Sequence, residues 1–335
     1  MAAAAKFPLP VDTAPMEAKL AEKIPSADGE WQYEPKWDGF RFLAFKSGET
    51  VDIRGKSGKP LGRYFPELVK LLSGLNASQF VVDGEIVIAL ADHHSFDALQ
   101  MRLHPAESRI RKLATQTPAK LLLFDMLADT TGKDLRDEPL SVRRAALEKF
   151  VKQQKSKDIE LSSVTYDVRV ARKWLTARDA ERTDGIVAKR LDGLYLSGER
   201  AMVKVKSLRS ADCVVGGFRY LANRREVGSL LLGLYNGEGK LDHVGFTSTI
   251  RNEDRPALTK RLEKLREPPG FTGNAPGGPS RWSTDRSVSW EPLRPTLVVE
   301  VRFDQVTSRR FRHGTRLLRW RTDKAPRQCT FDQIA

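Results

Sequence analysis

Short apolar runs alternate with polar and glycine-containing stretches through the first two-thirds of the chain. These runs predict strands at WQYEPKW, FRFLAF, FVVDGEIVIAL, KLLLFDML, DGIVAKR and AMVKVK. Apolar residues at helical spacing, bounded by proline, serine or glycine, predict helices between some of the strands. Because strands and helices alternate irregularly, we expect an α+β domain with antiparallel sheets rather than a doubly wound parallel sheet.

The ends of the predicted helices are marked by residues that suit helix termini. Pro66 and Gly74 bound one short helix, since proline suits the first turn and glycine the end. Ser95 is the predicted N-cap of a second helix, and Ser141 is the predicted N-cap of a third. The apolar face of the third helix consists of Leu147, Phe150 and Val151.

From about residue 207 the pattern becomes one of short strands joined by turn-rich connections. Strands are predicted at ADCVVGGFRY, GSLLLGLYN, LDHVGFTST, TLVVEVRF and TRLLRW, with one helix that places Leu258, Leu262 and Leu265 on one face. The segment EPPGFTGNAPGGPS predicts a mobile loop. Five strands and one helix are typical of a small barrel such as the OB-fold. We therefore predict two domains, an α+β domain over residues 1–206 and an all-β OB-fold barrel over residues 207–335.

Composition and charge narrow the class of protein. The 335 residues are 40% hydrophobic and 30% charged, which indicates a globular protein rather than a disordered or fibrous one. Lysine and arginine number 57 against 43 acids, for a net charge of +14. Such an excess predicts a polyanionic partner, with nucleic acid as the default. The alternative is a basic enzyme whose charge serves only solubility.

The excess of basic residues is concentrated near the C-terminus. Residues 302–327 contain nine lysines and arginines against two aspartates, and Phe303, Phe311 and Trp320 lie among them. Arginines interleaved with aromatic residues favour a nucleic-acid groove. The alternative is a solvated strand face with the aromatic rings in the core.

Two further features concern the cellular compartment. The two cysteines, Cys213 and Cys329, show no metal-ligand spacing, so we expect neither a disulfide framework nor a zinc site. The start, MAAAAKFPLP, lacks the hydrophobic region of a secretory signal, and no apolar run approaches the ~20 residues of a membrane span. We expect a cytoplasmic protein that does not contact a membrane.

The segment EPKWDGFR carries the first candidate chemistry. A lysine becomes a nucleophile when its amine is uncharged, and nearby cations or a metal ion favour that form. Lys36 has Arg41 close by in sequence, and Gly39 would let the backbone approach a ligand. Taken alone, a K-x-D-G tetrapeptide is more often a surface turn.

Six further segments that follow Lys36 in a fixed order support a catalytic role for this lysine. Lys36-Trp37-Asp38-Gly39 resembles motif I of the covalent nucleotidyltransferases, which comprise DNA ligases, RNA ligases and capping enzymes. The other segments resemble, in order, motifs Ia, III, IIIa, IV, V and VI: Arg54-Gly55, Asp83-Gly84-Glu85, Phe124-Asp125, Asp184 to Lys189, Lys204-Val205-Lys206 and Arg321 to Lys324. In the sequence of several stretches, the chain most resembles bacterial ATP-dependent DNA ligases of the LigC type, which consist of a nucleotidyltransferase (adenylation) domain and an OB domain.

The resemblance implies a reaction and a set of roles. Lys36 would attack the α-phosphorus of ATP, carry AMP, and pass it to the 5′-phosphate of a nick, which a 3′-hydroxyl then seals. Phe124 would stack on adenine, Glu34 would approach the base through its backbone, and Glu85 would accept from the ribose hydroxyls. Magnesium or manganese would be held by Asp184 and Glu85. The implied ATP-binding residues are Glu34, Arg41, Arg54, Glu85, Phe124, Lys189, Arg200, Lys204, Lys206, Arg321 and Lys324.

Structural alternatives exist for several of these residues. Phe124 suits the core of an apolar strand, and Glu85 suits a salt bridge at a sheet edge. Asp184 stands where the family usually has glutamate, and it also suits a turn before Gly185. Its shorter side chain would place a metal ion nearer its strand or hold it through water.

The resemblance also implies partners and leaves alternatives open. The expected partner is nicked duplex DNA, bound by a monomer in a salt-dependent manner, with a repair polymerase or end-binding protein as a further partner. This implies roles in bacterial DNA repair and recombination at the nucleoid. An RNA ligase or capping-type nucleotidyltransferase is one alternative, distinguished by its nucleotide and its nucleic acid. A non-catalytic OB protein that binds nucleic acid is another.

Overall fold

A computed structural model describes residues 6–26, 30–90, 93–176, 183–277 and 289–334. They form two compact units, which meet in sequence between Ser207 and Leu208. No helix in these five stretches combines the length and apolar character needed to cross a bilayer.

The first unit contains eleven described strands and five α-helices. Its strands are β1 (Ala18–Leu20), β2 (Trp31–Trp37), β3 (Phe40–Ser47), β4 (Thr50–Gly55), β5 (Gln79–Val87), β6 (Ala89–Leu90), β7 (His93–His94), β8 (Lys120–Ala128), β9 (Ile159–Leu161), β10 (Thr183–Arg190) and β11 (Met202–Lys206). Its α-helices are α1 (Pro66–Ser73), α2 (Phe96–Arg102), α3 (Glu107–Gln116), α4 (Leu140–Gln154) and α5 (Val168–Thr176).

Two sheets organise this unit. One has the strand order β1-β11-β10-β2 and the other β4-β3-β5-β8-β9, while β6 and β7 pair separately. Every pair of strands in the two sheets is antiparallel except β1 with β11 and β8 with β9. The expected α+β domain with mainly antiparallel sheets is confirmed.

Successive side chains of β3, in the second sheet, pack alternately into two different hydrophobic clusters. Phe42 and Ala44 of β3 pack into the cluster that contains residues of α1 and α4. Leu43 and Phe45 point to the other face and join the cluster that contains Met202 of β11. This period of two is the geometry of a strand that is buried on both faces.

The predicted helix boundaries are mostly confirmed, with one error. Ser95 accepts a hydrogen bond from the backbone N–H of Ala98 at 3.2 Å and caps α2 as expected. The predicted cap at Ser141 is wrong, because α4 begins one residue earlier at Leu140 and Pro139 is its N-cap. Pro139 has a non-helical ψ of 150°, so the helix begins directly after it.

The described part of the second unit contains one six-stranded antiparallel sheet, one two-stranded sheet and one α-helix. Its elements are β12 (Arg209–Leu221), β13 (Arg224–Tyr235), β14 (Leu241–Thr247), α6 (Arg255–Glu263), β15 (Glu291–Pro292), β16 (Val298–Phe303), β17 (Val306–Thr307), β18 (Arg310–Phe311) and β19 (Arg316–Trp320). The strand order is β14-β13-β12-β16-β19, with β15 beside β12. An isolated bridge between Thr247 and Thr315 brings the edges of β14 and β19 together, so the sheet curls toward a barrel.

Two expectations for the second unit need correction. Phe303 and Phe311 are buried in its core, so these rings line no exposed groove. Leu265 packs on the core but lies beyond the end of α6. In the segment predicted to be a mobile loop, Gly270, Phe271 and Pro276 are buried and the other eight described residues are exposed, so its mobility stays a prediction. Residues 278–280 of that segment lie outside the described residues, as do residues 1–5 of the chain start.

Candidate active site

A pocket of about 230 Å³ lies in the first unit where its two sheets face each other. The first sheet contributes Glu34 and Lys36 from β2, Val187 and Lys189 from β10, and Met202 and Lys204 from β11. The second sheet contributes Arg41 from β3, Glu85 from β5 and Phe124 from β8. Residues two apart along a strand share a face, which explains the spacing of the lining residues on β10 and β11, whereas β2 lines the pocket with four consecutive residues.

Strand register aligns the lining residues of the first sheet. Val187 of β10 pairs with Glu34 of β2 on one side and with Lys204 of β11 on the other. Cross-strand partners stand side by side on one face of a sheet. The row therefore spans the floor of the pocket from one strand to the next.

A β-bulge brings Asp184 to Lys36. Between its pairs with Trp37 and Pro35, β10 has two residues, Asp184 and Gly185, opposite the single residue Lys36. A bulge of this kind re-aims a side chain. The Lys36 Nζ donates to Asp184 Oδ1 at 2.5 Å. Asp184 is thus part of a strand, and its alternative role as a turn aspartate is wrong.

Gly185 is required at this bulge. Its φ is +147°, which side chains rarely adopt, and a Cβ there would collide with the carbonyl oxygen of Val205. Gly39 is also enclosed, but by protein, since a Cβ would collide with the carbonyl oxygen of Ile86. The expectation that Gly39 lets the backbone approach a ligand stays a prediction.

Burial raises the pKa of both acidic groups near Lys36. Burial raises the pKa of Asp184, while the charge of Lys36 and its hydrogen bond oppose the rise. Burial raises the pKa of Glu85 to about 8, against the lowering effect of Arg41 and Lys36. Glu85 is only partly exposed because it faces the pocket from inside the protein. Burial therefore favours the uncharged form of Glu85.

Arg41 is held rigidly in the pocket wall. Its Nε and Nη2 donate to the two carboxylate oxygens of Asp83, each at 2.6 Å, and Tyr195 donates to the same carboxylate at 2.6 Å. Burial lowers the pKa of Arg41, but the charge of Asp83 and the hydrogen bonds to it outweigh this effect, so the pKa lies above its ordinary value. Arg41 therefore stays cationic.

Phe124 is flanked by two cations. The guanidinium carbon of Arg41 and the Nζ of Lys189 each lie 4.6 Å from the centroid of its ring. Lys189 also pairs with Glu34 at 2.7 Å, and both side chains are almost fully buried. Gln32 donates to the same Glu34 oxygen at 2.8 Å. The Oε1 atom of Glu34 therefore has two protein partners.

The structure brings together most of the residues predicted from sequence. Lys206 does not line the pocket, but its charge acts on both Asp184 and Lys204. Arg54 pairs with Asp52 and lies outside the pocket lining. The predicted pocket residues that line it are Glu34, Lys36, Arg41, Glu85, Phe124, Lys189 and Lys204.

Three other predicted residues do not line the pocket. Arg200 is exposed, and its Nε is 3.8 Å from Glu17. Arg321 and Lys324 belong to the second unit, where both bind Asp212, at 2.8 Å and 2.7 Å.

Sequence reasoning missed part of the lining. Val187 and Met202 lie two residues from Lys189 and Lys204, so the period of two along each strand predicts them. Lys56 directly follows Arg54-Gly55, and that adjacency was the available signal. The remaining missed residues are Pro15, Met16, Glu17, Ala18, Pro35 and Trp37.

Among the residues described, no group of three or more histidine, cysteine, aspartate or glutamate side chains is placed to hold a metal ion. Cys213 and Cys329 are both free thiols buried in the second unit.

Two family models match the chain. One, described as "ATP dependent DNA ligase domain", matches residues 15–206, and the other, "ATP dependent DNA ligase C terminal region", matches residues 223–324. Among curated proteins, the chain is 44% identical to DNA ligase C1 of Mycolicibacterium smegmatis, over 96% of this chain and 93% of that protein. It is 38% identical to DNA ligase C of Mycobacterium tuberculosis, over 96% and 94% of the two chains.

Solved structures agree with these matches. A mycobacterial DNA ligase D complexed with ATP and MES shares 26% identity at a TM-score of 0.51, over 96% of this chain and 98% of that one. A Lig E DNA ligase has a TM-score of 0.58 at 17% identity, over 91% and 99% of the two chains, and this likeness concerns the fold alone.

Proposed function

Because the chain belongs to the ATP-dependent DNA ligases, we propose that it seals nicks in duplex DNA with Lys36 as the residue that is adenylated. One observation carries this assignment. Lys36 lies in a pocket together with Arg41, Lys204 and the ring of Phe124, which suit the phosphates and the base of ATP.

The reaction proceeds in three displacements at phosphorus. The uncharged Lys36 amine attacks the α-phosphorus of ATP; a P–N bond forms, the bond to pyrophosphate breaks, and the amine loses a proton. AMP then passes to the 5′-phosphate of a nick. Finally the 3′-hydroxyl attacks that phosphorus, AMP leaves, and the strand is joined. Negative charge develops on oxygen atoms in each step, so fixed cations stabilise the transition states.

The adenosine end of ATP is assigned to the inner part of the pocket. Phe124 presents its ring there, and adenine would stack on it. Glu34 would meet the base through its backbone, since its carboxylate is held by Lys189 and Gln32. Glu85 would contact the ribose hydroxyls.

A magnesium or manganese ion fits the same site. Mg²⁺ is usually held by one or two carboxylates together with substrate phosphates. Asp184 and Glu85 are two carboxyl groups that both interact with Lys36 and Asp38, and the triphosphate would supply further oxygens. Such an ion would neutralise charge on the phosphate oxygens.

The second unit is assigned to DNA and to the pyrophosphate end of ATP. Arg321 and Lys324 would act on the leaving pyrophosphate. Binding of the basic protein to DNA should weaken steeply as salt rises. We place the activity in DNA repair; in support, the chain is 31% identical to a multifunctional non-homologous end joining protein LigD of Pseudomonas aeruginosa, of which it covers 34%. A monomer that acts beside a repair polymerase or end-binding protein is our working assignment.

A nick-sealing assay tests the function. The wild-type protein should join a nicked DNA duplex with ATP and magnesium, whereas Lys36→Ala should join none and take up no label from α-labelled ATP. Lys19→Ala, which changes an exposed lysine of β1, should remain active. Preference for GTP, or joining of nicked RNA but not of DNA, would instead indicate a capping-type enzyme or an RNA ligase. Full activity of Lys36→Ala would exclude the proposed chemistry.

A further inference from the structure

We propose that Lys56 is a further ATP-binding residue, which holds the β- and γ-phosphates at the mouth of the pocket, and that Glu17 positions it there. This inference rests on the proposed function of the pocket, since it assigns one more residue to the same substrate.

The placement of Lys56 follows from the pocket lining. It comes directly after β4 and lines the pocket together with Lys36 and Lys204. Its side chain is 60% exposed, compared with 24% for Lys36 and 4% for Lys189. Because exposure rises from Lys189 through Lys36 to Lys56, Lys56 marks the outer end of the pocket.

The direction of bound ATP follows from this order. If the α-phosphorus meets the Lys36 amine and adenine stacks on Phe124, the β- and γ-phosphates extend away from the base and toward solvent. The side chain of Lys56 is more exposed than those of Lys36, Arg41 and Lys189, which also line the pocket. Burial lowers the pKa of Lys204, and the charges of Lys36 and Lys56 lower it further, so the three amines form one positive cluster.

Backbone hydrogen bonds hold Glu17 in place, with its carboxylate beside Lys56. Its backbone N–H donates to the carbonyl of Glu199 at 2.7 Å, and its carbonyl accepts from the N–H of Met202 at 3.1 Å. Its carboxylate lies 3.2 Å from the Lys56 Nζ and 3.8 Å from the Arg200 Nε. The Glu17 carboxylate therefore interacts at the mouth of the pocket with both Lys56 and Arg200, which belong to separate segments of the chain.

An exposed ion pair of this kind contributes little to folding stability. Lys56 can therefore exchange Glu17 for a phosphate at small cost, while the pair limits the positions that the lysine visits beforehand. This makes Glu17 a positioning residue and Lys56 a residue that touches substrate.

The test compares nucleotides that differ in their phosphates. For Lys56→Ala, the KM for ATP in the adenylation of Lys36 should rise about tenfold, as for one exposed charge-assisted hydrogen bond. Binding of AMP, which lacks the two outer phosphates, should change less than about twofold. Lys56→Arg should retain most of the ATP affinity. Lys59→Ala is the matched control, since Lys59 is exposed on the same turn and does not line the pocket.

Sealing of a pre-adenylated nick distinguishes ATP phosphates from those of DNA. Lys56→Ala should seal this substrate at the wild-type rate, and a selective loss in this assay would overturn the proposal in favour of a DNA contact. Equal weakening of ATP and AMP binding, or an unchanged KM for ATP, would also overturn it. Glu17→Gln should raise the KM for ATP in the wild type but not in Lys56→Ala; an equal effect in both would remove the positioning role. If the wild type forms no adenylate on Lys36, the proposed function itself fails.

Discussion

The ion pair between Lys189 and Glu34 has the largest expected effect on stability of the pairs that line the pocket. The Nζ and Oε1 atoms lie 2.7 Å apart, and the side chains are only 4% and 3% exposed. Lys189→Met would remove the cation and leave a buried carboxylate whose described side-chain partner is Gln32. Removing one member of a buried pair costs about 3–5 kcal/mol.

Thermal unfolding measures this cost. For a domain of 150–250 residues, 1 kcal/mol shifts Tm by about 2–4 °C, so Lys189→Met should lower the Tm of the first unit by roughly 6–20 °C. The double variant Glu34→Gln/Lys189→Met should recover at least half of the loss, because it no longer buries an unpaired charge. A Tm within about 2 °C of wild type for the single variant, or a double variant less stable than the single one, would refute the reasoning.

Three other changes test separate parts of the structure. Phe124→Leu should raise the KM for ATP about tenfold or more through lost base stacking, and an unchanged KM in an adenylation assay would contradict the stacking role. Gly185→Ala should destabilise the first unit by at least ~2 kcal/mol in urea unfolding, because of the positive φ and the collision with Val205, whereas Gly237→Ala, which has open space around it, should not. His243 has its pKa lowered to about 3 by burial and by Arg310 and Arg219. An unfolded chain binds that proton below about pH 6.5, so the protein should lose ~2 kcal/mol of stability between pH 7 and pH 5. His243→Gln should abolish this part of the pH dependence, and an equal loss in both proteins would exclude His243 as its source.

The strands that carry the site were predictable from the sequence, because each contains a short apolar run bounded by polar or glycine residues. The period of two along a strand explains why Glu34 and Lys36, or Lys189 and Val187, share the pocket face. The order of the motifs then indicated which of these residues belong together, although they are far apart in the chain.

Other features depend on contacts that no local pattern encodes. The bulge at Asp184 is set by the register of β10 against β2, and the sequence shows only an Asp-Gly pair that is equally typical of a turn. Gly39 is enclosed by β5, a strand more than forty residues later. The rings of Phe303 and Phe311 lie among arginines in sequence, yet the alternation of the strands turns them into the core.

The central claim is that Lys36 becomes covalently linked to AMP. After incubation with ATP and magnesium, proteolysis and mass spectrometry should find one added adenylate on the peptide that contains Lys36. The adduct should disappear when pyrophosphate is added, because the reverse reaction regenerates ATP. An adenylate on any other residue, or an active wild-type protein that never carries the adduct, would contradict this account.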